Sequence, residues 1–252
     1  FQSTPPVRGA TSKIQLFQGD CLEIMKEIPN KSIDMVLCDL PYGMTQCAWD
    51  TVIDFDSLWE EYHRVCKEKS AIVLHCMQPF TSKLIMSNYK EFKYCWVWDK
   101  HYVRGFLNAK KQPLRIHEDI AVFYKKQCTY NPEMIKGKYR SKGHSAKQHG
   151  CYGKYKPLNI KNDVYYPKTI LSFPGVPNTE LLHPTQKPVA LLEYLIKTYT
   201  NEGDTVLDNC MGSGSTGCAC VNTNRDFIGI ELDNGYYNIA ENRILNAKVG
   251  VE

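Results

Sequence analysis

The stretch DNCMGSGSTG at residues 208–217 decides the fold of this chain. It follows an apolar run at residues 205–207 and precedes residues with helical character, which predicts a turn between a strand and a helix. Its three glycines fit the spacing G-x-G-x-x-G, which lets the backbone approach a nucleotide-like ligand closely. Glu231 ends the next predicted strand, 19 residues after the first of these glycines, where an acid can bind both hydroxyls of a ribose. The turn therefore predicts an α/β fold with a nucleotide-type site.

The position of the turn disfavours a dinucleotide dehydrogenase in the usual order. Such an enzyme opens with the glycine-rich turn and continues with further strand–helix units, whereas only 35 residues follow residue 217 here. We therefore expect a permuted order, with the chemistry upstream of the turn.

Strands and helices alternate along the rest of the chain, outside one basic segment. Apolar runs bounded by turn residues predict seven strands, at residues 13–18, 32–38, 71–75, 94–99, 120–124, 205–207 and 227–230. Helical spacing predicts helices at residues 55–66, 79–88, 188–199 and 236–245, besides a short one after the glycine-rich turn. This alternation predicts a single α/β domain whose sheet is mostly parallel.

The composition is that of an ordinary globular protein, 43% hydrophobic and 23% charged over 252 residues. No run approaches the roughly 20 apolar residues of a membrane helix, which excludes a membrane-spanning protein, and no secretory signal is present. Eleven scattered cysteines without a C-x-x-C pair favour reduced thiols inside a cell. We interpret residues 1–12 as the scar of an expression tag or a disordered leader and expect the domain over residues 13–252.

Positive charge is concentrated in residues 136–168. Eight lysines and one arginine face a single acid there, a charge of +8, whereas the whole chain carries +4. A solvated loop would explain the charge alone, but tyrosines interleaved with lysines suit phosphate contact and base stacking and favour an insertion that faces nucleic acid. A second basic stretch, residues 100–115, is a further candidate. The predicted DNA contacts from both stretches are Lys100, Arg104, Lys138, Arg140, Lys142 and Lys147.

Asp39-Leu40-Pro41-Tyr42 comes directly after the predicted strand at residues 32–38. In open parallel sheets, ligands bind outside the carboxyl ends of the strands. A carboxylate there can accept hydrogen bonds from an exocyclic amine while an aromatic ring stacks on the base that carries it. The competing interpretation is a strand-ending turn with a buried tyrosine.

Together these motifs resemble the S-adenosylmethionine-dependent amino-DNA methyltransferases of β-class order, in which the catalytic half precedes the cofactor half. Asp39–Tyr42 resembles the family tetrapeptide D/N/S-P-P-Y/F/W, and HPTQKP at residues 183–188 resembles the segment before the cofactor half. Residues 208–215 resemble the methionine-binding loop, and residues 19–22 the segment that contacts adenine of the cofactor. The resemblance runs from Gly19 to about Asn246 and implies a Rossmann-like, circularly permuted, seven-stranded sheet with helices on both faces. The basic insertion falls where this family carries target recognition.

The resemblance also implies the roles of individual residues. Asp39, Leu40, Pro41 and Tyr42 are expected to be catalytic; Leu40 replaces a proline whose backbone carbonyl accepts from the target amine, which leucine still supplies. Lys187 is expected to be the counter-ion of the cofactor carboxylate. The cofactor contacts implied are Asp20, Cys21, Asp39, His183, Thr185, Lys187, Asp208, Met211, Gly212, Ser213, Gly214 and Glu231.

No metal is expected in the reaction. His117-Glu118 could be a metal pair, but no third ligand is apparent, so a polar turn at the sheet edge is favoured.

The expected activity is methyl transfer from S-adenosylmethionine to the N6 amine of a flipped-out adenine at a specific site in double-stranded DNA, as in restriction–modification. Aspartate at position 39 resembles adenine-N6 members more than cytosine-N4 members. Cytosine-N4 or RNA methylation, an NAD-type oxidoreductase and a catalytically inactive DNA-binding module stay open as alternatives. We expect an intracellular, DNA-associated protein (cytoplasm or nucleoid in a bacterium or phage host) without membrane contact, and the resemblance leaves a homodimer open.

Overall fold

The computed structural model of this chain describes residues 12–43, 50–104, 106–143 and 159–249. The strands in these ranges are β1 (Ile14–Gln18), β2 (Ile33–Asp39), β3 (Cys66–Cys76), β4 (Phe92–Arg104), β5 (Arg115–Phe123), β6 (Ile135–Gly143), β7 (Asn159–Tyr165), β8 (Ile170–Ser172), β9 (Thr205–Asp208) and β10 (Asp226–Glu231). The α-helices are α1 (Cys21–Met25), α2 (Phe55–Val65), α3 (Phe80–Ser87), α4 (Val189–Tyr199), α5 (Ser215–Asn222) and α6 (Asn234–Val249). None of the helices in the described ranges is long and apolar enough to span a bilayer.

The main sheet has eight strands in the order β1-β10-β9-β2-β3-β5-β4-β8. Only β5 runs against its neighbours, since it pairs antiparallel with both β3 and β4 while the other pairs are parallel. The mostly parallel α/β sheet predicted from the sequence is confirmed, and so are its seven strands. The eighth, β8, is three residues long and therefore carries too little alternation to be recognised.

The chain reverses its direction of travel across the sheet between β2 and β9, which are neighbours. From β2 the chain continues through α2 to β3 on one side, and from β9 it continues through α5 to β10 on the other. Such a switch point leaves a crevice at the carboxyl ends of the two strands, which is where open α/β sheets bind ligands. Asp39 ends β2 and Asp208 ends β9, so the two predicted motifs meet at this crevice.

Two apolar cores cover the faces of the sheet. Along β2, Met35 and Leu37 pack into the core that contains residues of α4, α5 and α6, whereas Val36 and Cys38 pack into the core that contains residues of α1, α2 and α3. Both faces of the strand are therefore buried, which explains why its sequence is a continuous apolar run. Helices on both faces, as predicted, are confirmed.

The basic insertion forms a compact unit of its own, residues 132–168. Within it β6 and β7 pair antiparallel, from Ile135 opposite Tyr165 to Gly143 opposite Asn159. The Arg140 guanidinium lies 4.1 Å from the centre of the Tyr165 ring and donates to the backbone oxygen of Val164 at 3.1 Å. The sequence, which lacks hydrophobic periodicity here, did not indicate this hairpin, because an arginine–tyrosine stack rather than an apolar face stabilises the described part.

Candidate active site

The predicted catalytic tetrapeptide, residues 39–42, begins at Asp39, the last residue of β2. Tyr42 donates its hydroxyl to Oδ1 of Asp39 at 2.6 Å, and its ring lies 4.9 Å from the ring of Phe80. Gly43 follows with a φ of +66°, which favours glycine, and its N–H donates to Asp50 at 2.8 Å. The side chain of Leu40 is only 3% exposed. The leucine that replaces the family proline therefore fixes the turn by burial instead of by ring rigidity.

A buried lysine holds the other oxygen of the Asp39 carboxylate. Lys187 Nζ lies 2.5 Å from Oδ2 of Asp39 and 3.5 Å from Oε2 of Glu118. Glu118 in turn accepts from Lys100 Nζ at 2.8 Å. Four charges of alternating sign therefore form a chain, and each of the four side chains is at most 18% exposed.

The charges of this chain stabilise one another. Burial alone would lower the pKa of Lys187, but the carboxylates of Asp39 and Glu118 raise it above the ordinary lysine value. Burial would raise the pKa of Glu118, yet Lys187 and Lys100 hold it at about 2. Lys187 and Glu118 therefore stay ionised at neutral pH, which a single buried charge would not.

His75 lies at the carboxyl end of β3, paired in register with Asp39. Its side chain is 1% exposed, and neither ring nitrogen has a hydrogen-bond partner among the described residues. Burial, followed by the charge of Lys187, lowers the pKa of His75 to about 4. The ring is therefore neutral at physiological pH and lies beside the charged chain without adding to it.

The glycine-rich turn has the geometry that its sequence predicted. Gly212 and Gly214 both have positive φ, at +52° and +79°. A Cβ on Gly214 would lie 2.9 Å from Ala240, so α6 approaches the turn as closely as only glycine permits. Met211, 5% exposed, is fixed by a bond from its N–H to the oxygen of Ile230 at 2.9 Å.

Two acids at the ends of neighbouring strands hold this turn. Glu231 accepts from the N–H of Gly212 at 2.8 Å and from the N–H of Asp233 at 2.9 Å, and burial raises its pKa. Asp208 accepts from the N–H of Cys210 at 3.1 Å, and burial raises its pKa to about 6. A carboxylate at each strand end thus orients the backbone of the loop between them.

The segment at residues 183–188 lies against the glycine-rich turn. The His183 ring packs edge-on against Tyr236 at 4.2 Å, and a Cβ on Gly212 would lie 3.7 Å from it. Thr185 donates its backbone N–H to Nδ1 of His183 at 3.2 Å, and burial lowers the pKa of His183. Lys187, predicted as the counter-ion of the cofactor carboxylate, instead has two carboxylate partners from the chain itself.

The remaining predicted cofactor residues form hydrogen bonds or contacts with residues of the chain itself. Asp20 caps α1 and accepts from the N–H of Leu22 at 2.8 Å. Cys21 lies 3.6 Å from the amide nitrogen of Asn209, whose oxygen accepts from Tyr62 at 2.6 Å. Ser213 Oγ accepts from Arg243 at 2.9 Å. The structure therefore brings the predicted cofactor residues to the same crevice from β1, β9 and β10.

One residue of the charged chain was not recognised from the sequence. His117 and Glu118 do not form a polar turn, as predicted, but lie within β5, with Glu118 opposite Trp98 on β4. The acid directly before an apolar strand run was the available signal, because such a residue lies at a strand end near the crevice. Among the described residues, no group of three metal-binding side chains is close enough to hold an ion.

The six predicted DNA contacts differ in exposure and in how far the structure describes them. Lys100 is 8% exposed and is paired with Glu118, so its prediction as a phosphate contact is wrong. Arg140 is bound within its own hairpin by Tyr165 and Val164. Lys138 is exposed on β6 and stays a prediction. Of the remaining three, only the backbone of Arg104 and Lys142 is described, and Lys147 lies outside the described residues.

The residues at the crevice fit S-adenosylmethionine. A carboxylate at Glu231 suits two ribose hydroxyls, and a turn with two positive-φ glycines lets the backbone approach a ligand. Asp39 ends β2, the neighbour of the strand β9 that leads into this turn.

Comparison with known proteins gives matches along nearly the whole chain. A family model described as DNA methylase (N6/N4) matches residues 33–242. The DNA adenine methyltransferase YhdJ of Escherichia coli (strain K12) is 30% identical over 265 residues, which cover 95% of this chain and 85% of that protein. The Type II methyltransferase M.HpaI of Haemophilus parainfluenzae is 27% identical over 248 residues, covering 91% of this chain and 74% of that protein.

Solved structures show the same architecture. A crystal structure of the M1.HpyAVI–SAM complex superposes with a TM-score of 0.63 at 28% identity, covering 92% of this chain and 98% of that one. The cytosine-N4-specific PvuII DNA methyltransferase also reaches a TM-score of 0.63, over 96% of this chain and 93% of that one, but at 16% identity. The second likeness concerns the fold alone.

Proposed function

The chain belongs to the N6/N4 DNA methylase family, whose members transfer a methyl group from S-adenosylmethionine to an exocyclic amine of DNA, and we propose that its target is the N6 amine of adenine. The observation that carries the proposal is Asp39 at the carboxyl end of β2, held between the Tyr42 hydroxyl and the Lys187 ammonium. One relative supports adenine as the target: the protein named DNA adenine methyltransferase YhdJ is 30% identical to this chain.

The residues at the crevice would prepare the amine for reaction. An exocyclic amine is a poor nucleophile because its lone pair is delocalised into the ring. A carboxylate offers about four lone-pair sites, so Asp39 can accept from the amine while it also accepts from Tyr42 and Lys187. The backbone carbonyl of Leu40 would accept the second N–H. These two acceptors would fix the nitrogen with its lone pair toward the crevice, and such positioning contributes up to roughly 7–11 kcal/mol.

Binding of the cofactor and the base would be divided between the two halves of the crevice. S-adenosylmethionine supplies an electrophilic methyl group on a positively charged sulfur. Glu231 would bind the ribose hydroxyls, and the backbone of the turn at Gly212 would lie against the rest of the cofactor. The Tyr42 ring, packed on Phe80, would stack on a base that has left the duplex and so offset part of the few kcal/mol that flipping costs.

DNA contact would come from two exposed surfaces. The hairpin of β6 and β7 carries exposed lysines and the exposed ring of Tyr139, which suit phosphates and bases. The second surface, residues 101–117, consists of the end of β4, the connection to β5 and the start of β5; it contains no acid and exposes several apolar side chains. We propose that methylation is site-specific and takes place inside the compartment that holds the DNA. We also propose that the protein is a homodimer, which light scattering would reveal.

Product analysis tests the proposal. The protein is incubated with labelled S-adenosylmethionine and either unmethylated duplex DNA or RNA, and the digested nucleosides are separated. Label in N6-methyladenine supports adenine-N6 methylation, label in N4-methylcytosine replaces it with the cytosine alternative, and label in RNA but not in DNA contradicts both. Sequencing of the methylated positions then gives the recognition site.

A further inference from the structure

The charge on Lys187 is balanced by two carboxylates, and only one of them belongs to the catalytic tetrapeptide. Asp39 lies 2.5 Å from the ammonium and Glu118 lies 3.5 Å from it. Lys100 neutralises the far oxygen of Glu118 at 2.8 Å. Because Lys187 has its backbone on the segment before α4 while Asp39 ends β2, nothing but these side chains joins the ammonium to the catalytic carboxylate.

We propose that Glu118 is a positioning residue for methyl transfer: it holds the Lys187 ammonium against Asp39, with Lys100 as its own counter-ion. The inference rests on the proposed function, since it assigns a role in that reaction. Glu118 touches neither base nor cofactor in this arrangement and acts only through Lys187.

The geometry requires Glu118 for this task. An ammonium has three N–H donors, and on Lys187 two of them are directed by Asp39 and by the oxygen of Thr185 at 3.2 Å. Without Glu118 the third side of a side chain that is 8% exposed would face no anion. The buried set of Asp39, Lys187 and Lys100 would then carry one uncompensated positive charge, which burial disfavours strongly.

We expect removal of the Glu118 carboxylate to change how the rate of methyl transfer depends on pH. The pKa of Lys187 lies above the ordinary lysine value because Asp39 and Glu118 raise it against burial. A carboxylate within about 4–6 Å typically changes the pKa of its neighbour by roughly 1–3, so its loss should let burial lower the pKa of Lys187. Once Lys187 loses its proton, Asp39 loses its partner and the rate falls.

The other titratable groups near Lys187 cannot produce this fall in rate at alkaline pH, the alkaline limb of the pH profile. After β2, the Tyr42 hydroxyl has a pKa raised well above 10 by burial, and on β3 His75 has a pKa of about 4. Glu118 on β5, with a pKa of about 2, is ionised throughout the range. In the segment before α4, burial lowers the pKa of His183, so its ring is neutral over the alkaline part of this range. Lys100 on β4 is paired with Glu118, and the second variant removes it.

The experiment compares Glu118→Gln with the double variant Glu118→Gln/Lys100→Met between pH 6 and 10. We expect the single variant to lose about 10²-fold in kcat, the effect of a misplaced reacting group, and to gain an alkaline limb. Its affinity for S-adenosylmethionine, measured by calorimetry, should equal that of the wild type. The double variant restores neutrality around Lys187, so it should regain part of kcat and move the limb back towards high pH.

Glu91→Gln is the matched control, because its carboxylate is also 14% exposed and ion-paired but lies at the opposite end of β4, before Phe92. It should cost stability without an alkaline limb. If Glu118→Gln fails to fold, Glu118→Asp, which keeps the charge, should fold and show reduced kcat with the wild-type pH profile.

Three results would overturn the inference: wild-type kcat in Glu118→Gln, a loss of kcat without a pH shift, or no recovery in the double variant. Absence of methyl transfer by the wild type would instead contradict the proposed function, and the role assigned to Glu118 would fall with it.

Discussion

At the scale of single residues, the crevice separates two tasks between two acids. Asp39 is held by side chains, Tyr42 and Lys187, so its position depends on neighbours that also lie at the reacting end. Glu231 is held by backbone N–H groups of Gly212 and Asp233, so its position depends on the fold of a loop. Substitution of either acid should therefore affect a different measurable quantity.

Asp39→Ala should abolish methyl transfer while leaving the binding of S-adenosylmethionine nearly intact. Loss of a positioned acid–base group typically costs about 10²–10⁴-fold in rate. The fold should survive at some cost in stability, because Lys187 keeps Glu118 as a partner although the remaining buried set carries one uncompensated positive charge. Methyl incorporation into duplex DNA and calorimetry are the measurements, with Asp34→Ala at the other end of β2 as control. A variant that retains more than about a tenth of the rate would remove Asp39 from the mechanism.

Glu231→Ala should lower the affinity for S-adenosylmethionine by about 10- to 100-fold, since a hydrogen bond to a charged group contributes roughly 1.5–3 kcal/mol. Burial raises the pKa of Glu231, so in the wild type the affinity should begin to fall at a higher pH than an ordinary glutamate would give, as the pH is lowered. Calorimetry at several pH values checks both points. Unchanged affinity in the variant would contradict the assignment.

At the scale of elements, β4 and β5 connect the catalytic edge to an exposed apolar tip. The strands β4 and β2 run in the same direction, so the carboxyl end of β4 lies at the edge of the sheet where Asp39 ends β2. Beyond it, Phe106 is 75% exposed and Leu107 is 84% exposed, in a connection that carries only basic charges. Apolar side chains among lysines suit insertion between base steps of DNA.

Phe106→Ser/Leu107→Ser should therefore slow methylation of fully paired DNA more than methylation of DNA whose target base is mismatched. Flipping a mismatched base costs less than the few kcal/mol that flipping a paired base costs. Steady-state rates on the two substrates measure the difference, and Tyr89→Ser, 68% exposed at the amino end of β4, is the control. Equal loss on both substrates would exclude a role in base flipping.

The hairpin of β6 and β7 predicts a salt effect. Lys136, Lys138 and Lys161 are exposed, whereas Arg140 stabilises the hairpin and should not be used as a probe of DNA contact. Each phosphate contact contributes close to −0.9 to the slope of log affinity against log salt, so Lys136→Ser/Lys138→Ser/Lys161→Ser should flatten the slope by up to about three units. Binding of S-adenosylmethionine should not change.

A salt titration of DNA binding measures this slope. The control is the triple variant Lys67→Ser/Lys69→Ser/Lys126→Ser, which makes the same change of charge. Lys67 and Lys69 lie at the amino end of β3, and Lys126 follows the end of β5 and pairs with Glu68. If the hairpin variant keeps the wild-type slope, the DNA-facing basic residues must lie elsewhere, first among residues 101–117.

The elements were largely predictable from the sequence, and their partners only in part. β2 was recognisable because both of its faces are buried, and the glycine-rich turn because its φ angles need glycine. The link from Lys187 through Glu118 to Lys100 was not, because Lys187, in the segment before α4, lies 69 residues after Glu118 and because pairing of β4 with β5 does not by itself bury Lys100 beside Glu118. Charges in a sequence do not reveal which of them are buried together.

At the scale of the whole molecule, a fully buried acid makes stability depend on pH. Asp208 is 3% exposed, and its pKa is raised from 3.8 to about 6, mainly by burial. Between these two values the folded protein keeps a proton that the unfolded chain has lost. Stability is therefore lost as the pH rises from about 4 to 6, by about 1.4 kcal/mol for each pH unit between the two pKa values, and the full loss applies above that range.

Asp208→Asn should raise the unfolding temperature at pH 7 to 8 and change it less near pH 4. The amide oxygen can still accept from the N–H of Cys210, and the amide NH2 can donate to the Thr216 hydroxyl that the carboxylate contacts, so the main change is loss of the charge. In a chain of this size, each kcal/mol corresponds to about 2–4 °C. Thermal unfolding across this pH range is the measurement, with Asp226→Asn as the control. A stabilisation independent of pH would show that the carboxylate is not the cause.

The order of strands in the sheet also has a consequence in time. Ile14 of β1 pairs with Phe227 of β10, and the N–H of Lys13 donates to Asp226 across 213 residues of chain. On a ribosome that adds about 5–20 residues per second, the partner of β1 is synthesised about 10 to 40 seconds after β1 itself. During that interval Ile14 and Leu16, both buried in the finished fold, have no sheet to join. β1 is thus paired only after β10 has been made, and for those seconds the nascent protein depends on whatever shields an exposed apolar strand at the ribosome.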